Sequence, residues 1–115
     1  MQKNKGEENM FGFLKKEDNK VIHVNDLDNL IGSIELIDIR EPYEYQGGTI
    51  RTAKNIPMGN LLSNPDKYMI KDKTYYIMCH SGARSNRTTR LLQKQGFDVI
   101  DVAGGMASYV GTKRK

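Results

Sequence analysis

The chain has 115 residues, 37% hydrophobic and 28% charged, the balance of one globular domain with its own core. Its single cysteine excludes an intramolecular disulfide and a four-cysteine zinc site, and its apolar runs are too short to span a bilayer. The net charge of +4 comes from the ends: residues 1–20 hold five lysines against four acids and 113–115 read KRK, leaving ten basic and ten acidic residues in 21–112, so no nucleic-acid-binding face is expected.

Residues 1–20, polar except for Phe11, Phe13 and Leu14, read as an extension, disordered or loosely docked. They hold no apolar block of secretory length, so a cytoplasmic location is expected. The regular pattern begins at Val21. VIHV reads as a short strand, with Asn25 or Asp26 able to cap a short helix over 27–31. IELIDI, ending near Asp38, reads as a buried strand. In REPYEYQGG, Pro42 opens a helical turn and the double glycine stops it, with Glu41 and Glu44 as first-turn acids. AKNIP predicts one more short strand, NPDKYMI a short helix with Pro65 in its first turn, and TYYIMC a strand rich in aromatic and branched residues. A helix over 84–95 follows, closed by Gly96 with Phe97 packing behind it. DVIDVA is a last strand, after which Gly104 and Gly105 lead into a short final helix. Strands alternating with helical segments predict an α/β domain over 21–110, a mostly parallel sheet flanked by helices on both faces. Residues 111–115 read as a basic, solvated C-terminal tail.

In such sheets chemistry gathers beyond the carboxyl ends of the strands. Cys79 stands at one such end; Asp38 and Arg40, two residues apart and so on one side of their strand, stand at another. A lone cysteine inside an apolar run would read as a small hydrophobe. This one is followed by His80, Ser81, Gly82, Ala83 and Arg84. Gly82 permits a tight backbone curl, successive amides in such a curl form an anion-binding nest, and the next helix adds the positive end of its dipole. Arg84, Arg87 and Arg90 share a broad helical face. Cys79 is therefore the candidate nucleophile. Arg84 is a candidate contact for an anionic donor, or the partner of a carboxylate, and Ser85 reads as a helix-capping residue. Asp38 and Arg40 read equally as a structural ion pair or as supports for the loop, and His23 reads as structural. Four residues separate Cys79 from Arg84, one fewer than in phosphate-cradling cysteine loops, so the ring of amides suits a sulfur atom attached to Cys79 better than a phosphoryl group.

Together the stretches YIMCHSGARSNRTTRLLQKQGFDVIDVAGGM and LIDIREPYEYQGGTIRTAKNIP resemble the two halves of a rhodanese homology domain, in order and at the expected separation. The resemblance covers roughly 21–110. It implies a five-stranded sheet and a sulfurtransferase with Cys79 as nucleophile and residues 80–84 as its active-site loop. Asp38 and Arg40 match a motif lying beside that loop. Thr49, Thr52 and Tyr109 depart from the family pattern, which usually has His, Gly and Trp there. The implied reaction moves sulfane sulfur from thiosulfate or a persulfide donor through a Cys79 persulfide to a thiophilic acceptor. That acceptor is cyanide, a small thiol or a cysteine of a partner protein, and neither metal nor organic cofactor is needed. A phosphatase or arsenate reductase, and a non-catalytic or sulfur-carrying interaction module, are the alternatives.

Overall fold

The computed structural model describes residues 3–4, 6–7 and 20–115. Lys3–Asn4 and Gly6–Glu7 pair antiparallel as a separate two-stranded ribbon. The expected extension over 1–20 otherwise lies outside the described residues.

Five strands form one parallel sheet: β1 (Val21–His23), β2 (Glu35–Asp38), β3 (Lys54–Asn55), β4 (Thr74–Met78) and β5 (Asp98–Ala103), in the order β1-β5-β4-β2-β3. The helices are α1 (Pro42–Gln46), α2 (Met58–Ser63), α3 (Ala83–Lys94) and α4 (Gly105–Ser108). Successive strand residues face opposite sides of a sheet, and the core divides accordingly. Ile37, Ile77 and Val99 face one side with Leu61, Leu92 and Cys79. Leu36, Met78 and Val102 face the other with Val24, Leu27 and Met106. Burial on both faces explains why the central strands read as nearly continuous apolar runs.

Helix α3 buries Ser85, Thr88, Thr89 and Leu92, a stripe at helical spacing. Arg87 and Arg90 lie exposed on its outer surface. It ends as expected: Gly96, at φ +94°, and Phe97 return their amides to Gln93 O and Leu92 O at 3.0 and 3.1 Å, a Schellman closure. Four details differ from the sequence expectation. The segment after β1 forms two short 3₁₀ turns, Val24–Asp26 and Asp28–Leu30, and the first is capped by His23, whose Nδ1 accepts the Asn25 amide. Helix α2 is unanticipated, because Gly59 and Asn60 are poor helix formers; burial of Leu61 holds it. The helical turn at Pro65 is limited to the 3₁₀ segment Pro65–Lys67. The basic tail is also docked. Arg51 N–H donates to Lys113 O and Lys115 N–H to Thr49 O, each at 2.8 Å, and the Arg114 guanidinium stacks on Tyr109. Backbone pairing with residues 49–51 outweighs the solubility of three cations.

Candidate active site

Strand β4 ends at Met78, and Cys79 follows beyond its hydrogen-bonded register. Its side chain is completely buried, 0% exposed, against the Leu92 side of the core. Two glycines shape the loop that begins there. Gly82 takes φ +103° at the start of α3, a conformation that suits glycine. A side chain at Gly105 would collide with Cys79 O and His80 O at 2.4 Å. That close approach lets the first amides of α4 hold the loop: Met106 N–H donates to Cys79 O at 3.0 Å and Ala107 N–H to His80 O at 2.7 Å.

The polypeptide folds back over its own sulfur. Gly82 N–H donates to Cys79 Sγ at 3.1 Å and Ser85 N–H at 3.3 Å, and the thiol donates to Ser85 Oγ at 3.5 Å. The first amides of a helix lack intrahelical partners, and Gly82 has no side chain to cap them. Cys79 Sγ therefore serves as the capping acceptor of α3, in the region where the helix dipole favours negative charge. Ser85 is the third residue of the helix, within its first turn, rather than its cap; its hydroxyl donates to Gly82 O at 3.2 Å. His80, Ser81 and Ala83 are exposed around this centre.

Arg84 points across the loop to α1. Its Nη1 and Nη2 donate to Glu44 Oε1 and Oε2 at 3.0 Å each, the parallel geometry of a guanidinium–carboxylate fork. Both side chains are largely covered, 34% and 19% exposed. Glu44 is itself pre-positioned. It occupies the third position of α1 in a capping box, and its Oε1 accepts the Glu41 amide at 2.9 Å. The Arg84 hydrogen bonds hold the Glu44 carboxyl at about 2, far below its ordinary value. The same pairing raises Arg84 further, with the negative fields of Cys79 and Glu41 acting in the same direction. Glu44 is thus both the first-turn acid that the sequence suggests and the partner of a residue forty positions away. A capping-box glutamate near the Asp38 and Arg40 motif was the only signal for it.

Asp38 and Arg40 form a buried ion pair. Arg40 Nε and Nη2 donate to Asp38 Oδ1 and Oδ2 at 3.0 and 2.8 Å, and Thr49 Oγ1 donates to Asp38 Oδ2 at 2.8 Å. Arg40 Nη2 also donates to Gly48 O at 2.7 Å. The hydrogen bonds of these side chains therefore anchor the segment after α1, not the cysteine loop directly. Thr49 completes this cluster, and Tyr109 is likewise occupied: its hydroxyl donates to Asp28 Oδ1 at 2.6 Å and accepts the Lys113 amide at 2.7 Å. Thr52 carries positive φ, +72°, strained for a β-branched residue. Sequence reasoning missed Asp101. This β5 residue is 4% exposed beneath α3, its Oδ1 has no hydrogen-bond partner, and burial raises its carboxyl.

A depression of about 600 Å³ lies at the opposite end of the strands, among Lys20, Glu35, Lys73 and Asp98. It holds ion pairs between Lys20 and Asp98 and between Lys73 and Glu35, and no cysteine. The cysteine loop is the better candidate for chemistry. No helix among the described residues is long and apolar enough to cross a membrane.

A parallel α/β domain that curls a short amide-rich loop around a cysteine at a strand end defines a class of cysteine-centred domains. The rhodanese-like domain family matches residues 23–112, and the chain belongs to it. Over 83 residues it is 42% identical to "Putative sulfurtransferase YtwF" of Bacillus subtilis, an alignment spanning 70% of this chain and 78% of that one. It is 33% identical over 104 residues to a tRNA uridine(34) hydroxylase of Pelagibacter ubique, spanning 87% of this chain and 32% of the relative. Among solved structures, SSP1007 from Staphylococcus saprophyticus superposes with a TM-score of 0.74 at 31% identity, covering 79% of this chain and 93% of that one.

Proposed function

We propose that the chain transfers sulfane sulfur through a persulfide on Cys79. The observation that carries this reading is the pair of amides, Gly82 N–H and Ser85 N–H, directed at Sγ at 3.1 and 3.3 Å. Fixed dipoles aimed at a sulfur in a water-poor site stabilise negative charge there without reorganising, and such hydrogen bonds are strengthened by low-dielectric surroundings. The Cys79 thiolate attacks the sulfane sulfur of thiosulfate or a persulfide. The bond from that sulfur to the donor breaks, and its electron pair leaves with sulfite or a thiolate. The new Cys79 persulfide carries the negative charge on its outer sulfur, and the loop amides are its nearest donors. A second thiophile, cyanide or a thiol, attacks the outer sulfur and releases Cys79. With one cysteine in the sequence, the acceptor is another molecule, either a small thiol or the cysteine of a protein partner. The likeness to YtwF supports this reading, and the cytoplasm, rich in reduced thiols, is the setting that fits it.

The test is intact mass. Incubation with a sulfane donor adds about 32 Da, one sulfur, and cyanide removes it. A Cys79→Ser chain shows neither change. Cys79-dependent turnover of p-nitrophenyl phosphate without any sulfur adduct would favour the phosphatase alternative instead.

A further inference from the structure

We propose that Glu44 selects the sulfur donor by charge, disfavouring dianionic thiosulfate relative to donors that bear a single negative charge or none, such as hydropersulfides and thiosulfonate anions. The inference rests on the Cys79 persulfide reading and extends it to the donor. In a loop whose arginine were free, Arg84 would supply a full positive charge beside the incoming anion. Here both of its Nη atoms are committed to Glu44 at 3.0 Å. The carboxylate cannot easily swing away, because the Glu41 amide holds Oε1 as well, and with a proton affinity corresponding to about 2 it stays ionised through any neutral-pH assay. Glu41 adds a second negative field at Arg84. Arg40, the other cation facing Glu44, is neutralised by Asp38. The Arg84–Glu44 and Arg40–Asp38 pairs therefore cancel, Glu41 adds a negative charge beside them, and the loop amides are left as the main attraction for an anion. Amide dipoles can compensate one negative charge near the sulfur; a second charge meets the Glu44 carboxylate, whose guanidinium partner is already committed to it.

The chemistry balances for thiosulfate and for a thiosulfonate anion. With the thiosulfonate, the Cys79 thiolate bonds to the terminal sulfur, the bond from that sulfur to the sulfonyl sulfur breaks, and the electron pair departs with a monoanionic sulfinate. With thiosulfate, the same bonds form and break, and dianionic sulfite departs. Thiosulfate and the methanethiosulfonate anion differ mainly by one oxyanion against one methyl group, so the pair isolates charge from shape.

The experiment follows single-turnover sulfur loading of the full chain by intact mass, with each donor, for the wild type and for Glu44→Gln. Glutamine retains the capping box, so α1 keeps its start. Arg84→Lys serves as a second variant, which keeps the cation and loses the fork. The expected result is that Glu44→Gln raises the thiosulfate rate relative to the methanethiosulfonate rate by about tenfold, on the scale of one charge removed near a partly buried site. Added salt shrinks that gain, and Arg84→Lys moves the ratio in the same direction. An equal change with both donors, in either direction, would overturn the inference and leave Glu44 as a strut for the loop. If the wild type loads sulfur from neither donor, the Cys79 persulfide reading itself falls, a result distinct from an unchanged ratio.

Discussion

At single positions, the structure separates residues that the sequence announces from residues that only packing reveals. Cys79 is legible because it ends an apolar run and precedes a glycine-containing turn. Asp101 is not, since an aspartate in DVIDVA could face solvent; its burial follows from the register that sets it beside Ile77 and beneath α3. The carboxylate is raised because burial disfavours its charge. An acid raised in the folded state carries a stability penalty above its folded titration, and acidification through that range relieves the penalty. Asp101→Asn should therefore raise Tm at pH 7 by a few degrees and flatten the relative gain in stability that the wild-type carboxyl contributes as pH falls toward its ordinary 3.8, as read by thermal melts. An unchanged pH dependence would show that burial does not displace the carboxyl from its ordinary titration. Thr52 offers a simpler case. Its φ of +72° penalises a β-branched side chain and not glycine. Thr52→Gly should stabilise the fold by about 1 kcal/mol, less the larger backbone entropy of glycine in the unfolded chain, measured by urea denaturation.

Among the elements, α3 and the docked C-terminus show how local sequence signals can succeed or fail. The closure of α3 is written in Gly96 and Phe97, and the structure keeps it. Its start could not be assigned from capping residues, because the acceptor for the Ser85 amide is a sulfur six residues earlier. The termination of α1 by glycine was readable, whereas the Glu44 pairing with Arg84 depends on the chain returning after forty residues. The KRK segment fails for a different reason. Its charge suggests solvation, but residues 113 and 115 pair through their backbones, and backbone pairing is indifferent to side-chain charge. A chain lacking 113–115 should lose about 1–2 kcal/mol for the lost hydrogen bonds, visible as a lower Tm. Its sulfur-loading rate at 25 °C should stay within about twofold, since a loss of this size leaves a domain of typical stability folded. A larger drop in rate would mean that the Thr49 and Asp38 cluster transmits the change to the cysteine loop.

Over the whole molecule, the parallel sheet with its two core faces was legible because strand-like and helix-like segments alternate along the chain. Which face takes Cys79 was not, since it follows from strand register. Charge is distributed so that several carboxylates are held ionised by partners: Glu44 chiefly by Arg84, Asp98 chiefly by Lys20, and Asp28 chiefly by the Tyr109 hydroxyl. Depressed carboxyls stabilise the fold above their unfolded titration and lose that contribution as pH falls toward the folded value. For Glu44 the loss runs from its ordinary 4.5 down to about 2. Stability should accordingly decline from about pH 5 downward, with Asp101 opposing the trend. Denaturant melts across pH 2–7 check this, and Glu44→Gln should show a shallower acid decline than the wild type.

The suspension of the cysteine loop from α4 has a consequence for how the protein fails. Two amides of a four-residue helix, Met106 and Ala107, carry the carbonyls of Cys79 and His80, while β4 and β5 are zipped together along their length. So short a helix frays at a smaller free-energy cost than the sheet opens. On heating, the bowl of amides around the sulfur should loosen while the sheet is still intact. Inactivation would then precede melting: residual sulfur loading, assayed at each temperature, should fall several degrees before the far-ultraviolet circular dichroism transition. The domain would in that sense be a reversible thermal fuse, silenced by warming and restored on cooling without having unfolded.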